Sequence, residues 1–302
     1  MKALATFIIQ GGRQATLVVA VMAVLSLLMP PLVIISSAAL CLITLREGAL
    51  EGVKVLIGST VATALIGYIA LATPLIAATY LCVMWLPVFL VALVLRHTRQ
   101  MNVAIECLVV LAMLAVVSVY VFVDNPAEQW ALSIQAVIAT LGEQQDILVS
   151  QSQLQEGLAF WSAYMTGIVV AGTITSIMMS LLLGRWWQGL LFNPGGFNQE
   201  FTSIRLLPRD AYAFIVLIVL ALLFSGQLAE LMWNLDVQLV LLFLIVGVSV
   251  VHVIIKNRGT SQFLLFGFYV AVFFVPHLML PLILIGLSDV WMNWRERFAI
   301  KA

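Results

Sequence analysis

The sequence predicts an all-α protein, a polytopic transmembrane helical bundle of about ten spans with both termini in the cytoplasm. The first observation is composition, since 63% of the 302 residues are hydrophobic and 9% are charged, against roughly 25% charged in soluble domains. The second is the length of the apolar runs, such as 107–123 and 214–224. A membrane β-barrel would instead show short segments of alternating polarity, so these runs favour helices. The third observation is the placement of the basic residues, which sets the number of spans.

Proline, glycine and charge clusters divide the apolar sequence into ten segments, 15–29, 32–45, 53–72, 75–95, 101–123, 158–183, 211–226, 237–255, 261–275 and 277–291. The basic start of the chain resembles a signal peptide, but no small-residue cleavage motif follows Pro30-Pro31, so we predict an uncleaved first span. Two pairs of segments are short for a bilayer that needs about 20 residues per helix. Each pair is joined by proline, at Pro30-Pro31 and at Pro276, and is either a hairpin or one kinked helix.

The basic residues favour ten spans over eight. With ten spans and a cytoplasmic N-terminus, all 14 Lys and Arg lie on the cytoplasmic side, where membrane proteins concentrate them. Eight spans, the fallback, place both termini outside. The whole chain, 1–302, is thus predicted to be one integral membrane domain with a cytoplasmic loop at 184–210.

The largest predicted extracytoplasmic piece is the loop 124–157, which contains no Lys or Arg. Its apolar residues recur at helical spacing. The pattern indicates one or two amphipathic helices on the outer surface or over the bundle, with a solvated helical connector as the alternative.

Two features inside the spans are candidates for a solute site. Glu106, in the fifth span, is either a proton or cation ligand or a carboxylate paired with a cytoplasmic arginine. The sixth span carries small residues at the spacing Gly167-xxx-Ala171-xxx-Thr175, which favours close helix packing. The alternative is that this hydroxyl-bearing stripe is the wall of a solute cavity, formed by Ser162, Thr166, Thr173, Thr175 and Ser176.

Two further segments are candidates for the membrane interface or for a protein partner. The stretch 185–201 combines two tryptophans with an Asn-Pro-Gly-Gly turn, which predicts either an elbow on the membrane surface or a docking surface. The stretch 286–298 ends the last span, where an acidic residue can pair with a following arginine. The candidate residues are Arg185, Trp186, Trp187, Asn193, Gly195, Gly196, Phe197, Asp289, Trp291 and Arg295.

The sequence contains none of the common catalytic or nucleotide-binding motifs. Cys41, Cys82 and Cys107 lie in apolar runs, which argues against a disulfide framework and against a metal site. With a net charge of zero, no basic patch indicates nucleic acid. We therefore expect no enzyme, cofactor, metal or nucleic-acid partner.

Three stretches carry a family resemblance: 30–48 with its Pro-rich turn and R-x-G ending, 185–201, and 286–298 with the pattern G-L-x-D-x-W-x-x-x-R. Together they resemble the YybS-like family of bacterial inner-membrane proteins, which is distantly similar to the S components of energy-coupling-factor transporters and to MreD-type proteins. The resemblance implies an inner-membrane helical bundle that binds a small solute in a transport-related role. Its alternative implication is a scaffold that engages a cytoplasmic or membrane protein through 185–210.

Overall fold

A computed structural model describes residues 1–142, 151–257 and 262–298, and their regular structure is helical throughout. The π-helical turn Tyr80–Trp85 joins two of the helices into one continuous rod, and the 3-10 turn Pro276–Leu278 precedes another. The α-helices are α1 Lys2–Ile8, α2 Gly12–Leu25, α3 Leu32–Glu47, α4 Ala49–Leu71, α5 Leu75–Thr79, α6 Leu86–Thr98, α7 Met101–Phe122, α8 Pro126–Gly142, α9 Gln151–Phe192, α10 Gly196–Thr202, α11 Pro208–Leu223, α12 Gln227–Asn257, α13 Gln262–Phe274, α14 Met279–Met292 and α15 Trp294–Arg297.

The regular structure of the described residues is helical, which confirms the predicted all-α class. Several of the helices also have the length and composition of membrane spans. Helices α13 and α14 meet the length and composition criteria for a span only as a pair, which is bent by 105° at Pro276 and adds to the five single helices listed next. Among the described residues, five single helices qualify: Ala49–Ala70, Leu75–Thr98, Met101–Phe122, Glu156–Phe192 and Gln227–Asn257. The chain is therefore compatible with a multi-pass membrane protein.

The remaining predicted spans form shorter helices. Helix α2 has 14 residues, and α3 and α11 have 16 each. At 1.5 Å per residue they are about 21 to 24 Å long, less than the roughly 30 Å hydrocarbon core of a bilayer. Helices α2 and α3 fold back on each other, since the Ser36 hydroxyl donates to the Val19 carbonyl at 2.7 Å. The first Pro-joined pair is therefore a helical hairpin and not one kinked helix.

Two helices begin or end far from the predicted positions. Helix α9 runs from Gln151 to Phe192 rather than from 158 to 183, about 63 Å in all. Residues 184–192 of the predicted cytoplasmic loop are therefore helical, because apolar residues continue beyond Arg185 and the arginine finds a partner alongside the helix. Helix α12 begins at Gln227 rather than 237, so a polar stretch expected before the span is its first third.

The predicted outer loop 124–157 contains a single helix, α8, before the residues outside the described part, 143–150. Helix α8 packs against α9, and the Trp130 indole N–H donates to the Thr166 hydroxyl at 2.9 Å. The last residues of the predicted loop belong to α9. The first half of the predicted loop thus forms a helix, Pro126–Gly142, that packs against α9.

The core consists of two apolar clusters that share α3, α6 and α9. One is built mainly with α1, α2 and α4, and the other with α7, α11 and α12. The helices approach closely where one carries glycine. A Cβ atom on Gly184 of α9 would lie 2.9 Å from the Cys41 sulfur of α3, and one on Gly247 of α12 would overlap the Leu282 carbonyl of α14.

Arginine side chains meet at one end of the bundle, which we call the basic end. The Arg96 guanidinium donates to the Leu45 and Arg46 carbonyls at 2.5 and 3.0 Å, at the C-terminus of α3. The Arg46 guanidinium lies 4.1 Å from the centre of the Phe192 ring at the end of α9. These contacts bring the C-terminal ends of α3, α6 and α9 together.

Candidate functional site

The hydroxyl groups predicted to line a solute cavity on α9 mostly bond to their own helix. Thr166 instead accepts from Trp130, and Thr175 also lines an apolar cleft described below. The others donate to carbonyls three or four residues earlier, a pattern that satisfies a hydroxyl without any ligand: Ser162 to Ala159, Thr173 to Val169, Thr175 to Ala171 and Ser176 to Gly172.

A side-chain amide from α12 is inserted into the backbone of α9. The Asn234 oxygen accepts from the Gly167 N–H, and the Asn234 nitrogen donates to the Ala163 carbonyl at 2.7 Å. The amide therefore bridges two backbone groups that an undisturbed helix would pair directly. The same nitrogen donates to the Tyr120 hydroxyl at 2.9 Å, and Gln238 donates to the Gly167 carbonyl at 3.0 Å. Gly167 makes this insertion possible, because a Cβ atom there would lie 2.8 Å from the Asn234 oxygen.

Asp236 is a buried carboxyl group that immediately precedes the predicted span 237–255. Because α12 begins at Gln227, Asp236 lies about 13 Å into the helix. Asp236 is 3% exposed, and among the described residues neither of its carboxyl oxygens has a hydrogen-bond partner. Ionisable groups at such depth are functional candidates by default. No group of three or more metal-ligating side chains occurs in the part of the chain that the structure describes.

Glu106 lies apart from the hydroxyl stripe. Its carboxylate forms an ion pair with Arg209 at the start of α11, with the Glu106 side chain 15% exposed. Of the two predicted alternatives, a proton or cation ligand and a carboxylate paired with an arginine, the structure shows the second. It joins α7 to α11 and adds Arg209 to the basic end.

The stretch 185–201 forms an elbow between α9 and α10. The Asn-Pro-Gly-Gly turn lies where it was predicted, with Gly195 at a φ of +91° that favours glycine. The Gly196 N–H donates to the Asn193 carbonyl at 3.0 Å. Arg185 makes a two-pronged contact with Glu200, including a 2.8 Å bond from its Nε, and so fastens α10 to α9.

The aromatic residues of this elbow point mainly inward. Trp187 is fully buried, whereas the neighbouring Trp186 is 36% exposed. Phe197 packs against the larger core cluster. The elbow therefore offers less apolar surface to a partner than its sequence suggests.

The C-terminal stretch is held by Asp289. Its carboxylate accepts from the Trp294 N–H at 2.8 Å and lies 3.9 Å from the Arg295 guanidinium. Burial lowers the pKa of Arg295, and the Asp289 charge opposes that shift. Trp291 is exposed and lies beside Tyr212, with ring centres 6.2 Å apart. The arrangement fixes the end of α14 at the basic end.

An apolar cleft of about 710 Å³ lies between α9, α10, α12 and α13. Its polar groups are few and lie mainly toward the basic end, where His252 is hydrogen-bonded to the Tyr269 hydroxyl at 2.8 Å. Aromatic, methionine and branched aliphatic side chains form the rest of the wall. The lining residues are Thr175, Met178, Met179, Leu182, Trp186, Phe197, Asn198, Phe201, Leu241, Leu244, Ile245, Val248, His252, Tyr269, Val272, Phe273 and Met279.

A second cleft, of about 540 Å³, opens at the basic end on a different face of α9, toward α3 and α6. Its character is opposite to that of the apolar cleft, because three guanidinium groups and one carboxylate line it. We call it the basic pocket, and its lining residues are Leu45, Leu95, Arg96, Arg99, Arg185, Gln188, Phe192, Asn193 and Glu200.

Sequence reasoning missed the polar groups of α12 and most of the basic pocket. Glu230, Asn234 and Gln238 are spaced by four residues, which is a helical face and a signal that could have extended the span backward. The basic pocket has no comparable signal, because its residues come from helices far apart in the sequence.

Comparisons of the chain with protein-family models, with curated proteins and with solved structures find no match. The class of the protein therefore follows from its own fold, an all-helical bundle whose long apolar helices are compatible with a multi-pass membrane protein.

Proposed function

We propose that this protein is a multi-pass protein of the bacterial inner membrane that binds a small amphiphilic solute in the apolar cleft. The observation that carries the proposal is the cleft itself, with about 710 Å³ of space and an almost wholly apolar wall. Ligand pockets are typically 300 to 1,000 Å³, apolar, with a few placed polar groups. The pair His252–Tyr269 and the Asn198 amide are such groups.

The position of these polar groups orients the proposed solute. They lie near the ends of α10 and α12, at the basic end, and the apolar wall continues deeper toward Thr175 and Met279. A molecule with a polar head at the basic end and an apolar body within the bundle fits this gradient. The proposed role of the protein is to bind this solute, and if the protein takes part in transport, the cleft is the site that holds the solute.

We further propose the ten-segment topology with both termini in the cytoplasm. Its support is that α2 and α3 form a hairpin and not one kinked helix, which returns the start of α2 and the end of α3 to the same side. Ten traverses also place the basic residues near both termini on the same side of the membrane as the other Lys and Arg, in line with the preference of basic residues for the cytoplasm. Five of the traverses are short, and flanking side chains or a thinner bilayer would accommodate them: α2, α3, α11, α13 and α14.

The alternative, a scaffold that binds a cytoplasmic protein through 185–210, has less structural motivation. Trp187 is buried and Arg185 is already paired with Glu200. Crosslinking from Trp186, the exposed tryptophan of the elbow, to a defined partner protein would favour the scaffold instead.

Native mass spectrometry of the protein released from detergent tests the amphiphile proposal. We expect a co-purified amphiphile on the wild type. Leu244→Trp and Val248→Trp, which fill the cleft, should abolish the adduct. Val216→Trp is the matched control, because Val216 is an exposed aliphatic residue on α11 outside the cleft lining. Equal adducts on all variants, or none on the wild type in a broad amphiphile panel, would contradict the proposal.

A further inference from the structure

We propose that the basic pocket is a binding site for a phosphate-bearing anion, separate from the apolar cleft. The ligand class is a phosphoryl group, supplied either by an anionic lipid headgroup or by a soluble phosphorylated molecule. The two clefts share no lining residue and lie on different faces of α9. The inference is therefore independent of the proposed amphiphile site.

The charges in the pocket are unbalanced toward the positive. Arg185 is neutralised by Glu200. Arg96 bonds through one guanidinium nitrogen, Nη1, to the backbone carbonyls at the end of α3, and this contact supplies no full negative charge. Among the described residues, no carboxylate lies within 4.0 Å of the Arg96 or Arg99 guanidinium nitrogens. A phosphoryl group supplies the missing negative charge and acceptor oxygens that match guanidinium donors.

The pocket is a concavity of about 540 Å³, and Arg96 and Arg99, which line it, are exposed and accessible to a ligand. The carbonyl contacts of Arg96 hold its guanidinium against α3, so its direction is fixed. Arg99 ends α6 with a φ of +55°, a left-handed conformation that arginine seldom adopts. The Arg99 side chain lines the same pocket as Arg96. The side-chain amides of Gln188 and Asn193 add neutral donors.

The apolar part of the lining suits a ligand that also has a hydrocarbon portion. Leu45, Leu95 and Phe192 form this part, and the Arg46 guanidinium stacks on the Phe192 ring. Basic pockets between helices at the cytoplasmic side of membrane proteins are suited to anionic headgroups. The same guanidinium groups would bind a soluble phosphorylated molecule, so both sources have to be tested.

The test measures binding by the full-length protein to inorganic pyrophosphate and to phosphatidylglycerol. Pyrophosphate binding is followed by thermal unfolding in detergent, and lipid binding by native mass spectrometry, with phosphatidylcholine as the zwitterionic control. Arg99→Gln removes one pocket charge and should weaken binding roughly tenfold, because a charge-assisted hydrogen bond is lost. Arg13→Gln is the matched control, since Arg13 is an exposed arginine that lines a different cleft.

Glu200→Gln provides an effect of opposite sign, which misfolding does not produce. It removes the only carboxylate in the pocket lining and frees Arg185, so anion binding should become several-fold tighter. Stabilisation by pyrophosphate alone assigns the site to a soluble phosphorylated ligand, and selective phosphatidylglycerol adducts assign it to a headgroup. The proposal is overturned if neither probe binds, if Arg99→Gln and Arg13→Gln lose the same affinity, or if Glu200→Gln fails to tighten binding.

Discussion

Trp186 and Trp187 are adjacent in sequence but have different surroundings. Trp187 is 0% exposed and packs in the smaller core cluster with Trp85 and residues of α1 to α3. Trp186 is 36% exposed and lines the apolar cleft. We expect Trp187→Ala to lower the free energy of unfolding by about 3 to 5 kcal/mol, because a large buried side chain leaves a cavity. Trp186→Ala should cost far less, and unfolding in detergent compares the two. Equal losses would contradict the burial of Trp187.

A second residue-scale contrast lies on α12, where two polar side chains two positions apart have different hydrogen bonding. Asn234 is bonded to α7 and α9, so Asn234→Leu leaves buried partners unsatisfied and should cost about 1 to 3 kcal/mol of unfolding free energy. Asp236 is buried without a partner among the described residues, so Asp236→Leu should leave stability unchanged or raise it by about 1 to 3 kcal/mol. The same unfolding measurement applies to both. A destabilised Asp236→Leu protein would show that the carboxyl group stabilises the fold.

The sequence identified unusual residues at some of these positions but did not predict whether their side chains are buried. Residue type and position identified Trp186 and Trp187 as candidates for the membrane interface or a protein partner. Whether each is buried depends on the rotation of α9 against neighbouring helices. An insertion such as that of Asn234 into α9 depends on the relative register of two helices, which one sequence does not encode locally.

At the scale of helices, glycine sets the distance between α12 and α14. A Cβ atom on Gly247 would overlap the Leu282 carbonyl, and one on Gly286 would overlap the Phe243 carbonyl. Gly247→Ala and Gly286→Ala should therefore each destabilise the protein by about 1 to 3 kcal/mol, since backbone has to move. Gly172→Ala on α9 is the control, because open space surrounds it within the described part of the chain. Alanine there should be neutral or stabilising by up to about 1 kcal/mol, and an equal loss at all three positions would refute the close crossing.

Helix positions followed the sequence where strong boundaries flank an apolar run. Helix α7, predicted at 101–123, spans Met101–Phe122, because Arg99 precedes it and a charged, Pro-containing stretch follows. Predictions failed where polar residues inside a helix resembled a boundary. Arg185 in α9 and the polar start of α12 are the two cases, and tertiary partners make helix possible at both.

At the scale of the whole molecule, α9 connects the two halves of the bundle. It contributes to both core clusters, with Ile177, Met178 and Leu181 in one and Trp187 in the other. The two clefts flank its C-terminal part on different faces. A ligand in either cleft would therefore contact the helix that joins the halves.

The proposed topology makes a prediction for the whole chain that cysteine labelling can test. Cys41, Cys82 and Cys107 are first replaced by alanine, and single cysteines are introduced at the exposed positions Glu47, Glu128 and Arg297. With ten traverses, a membrane-impermeant maleimide should label position 128 in intact cells, and positions 47 and 297 only after permeabilisation. Labelling of position 297 in intact cells, with 47 still protected, would instead support nine spans, because collapse of the C-terminal Pro-joined pair moves only the C-terminus outside. The choice depends on whether α13 and α14, bent by 105° at Pro276, cross the membrane separately or together.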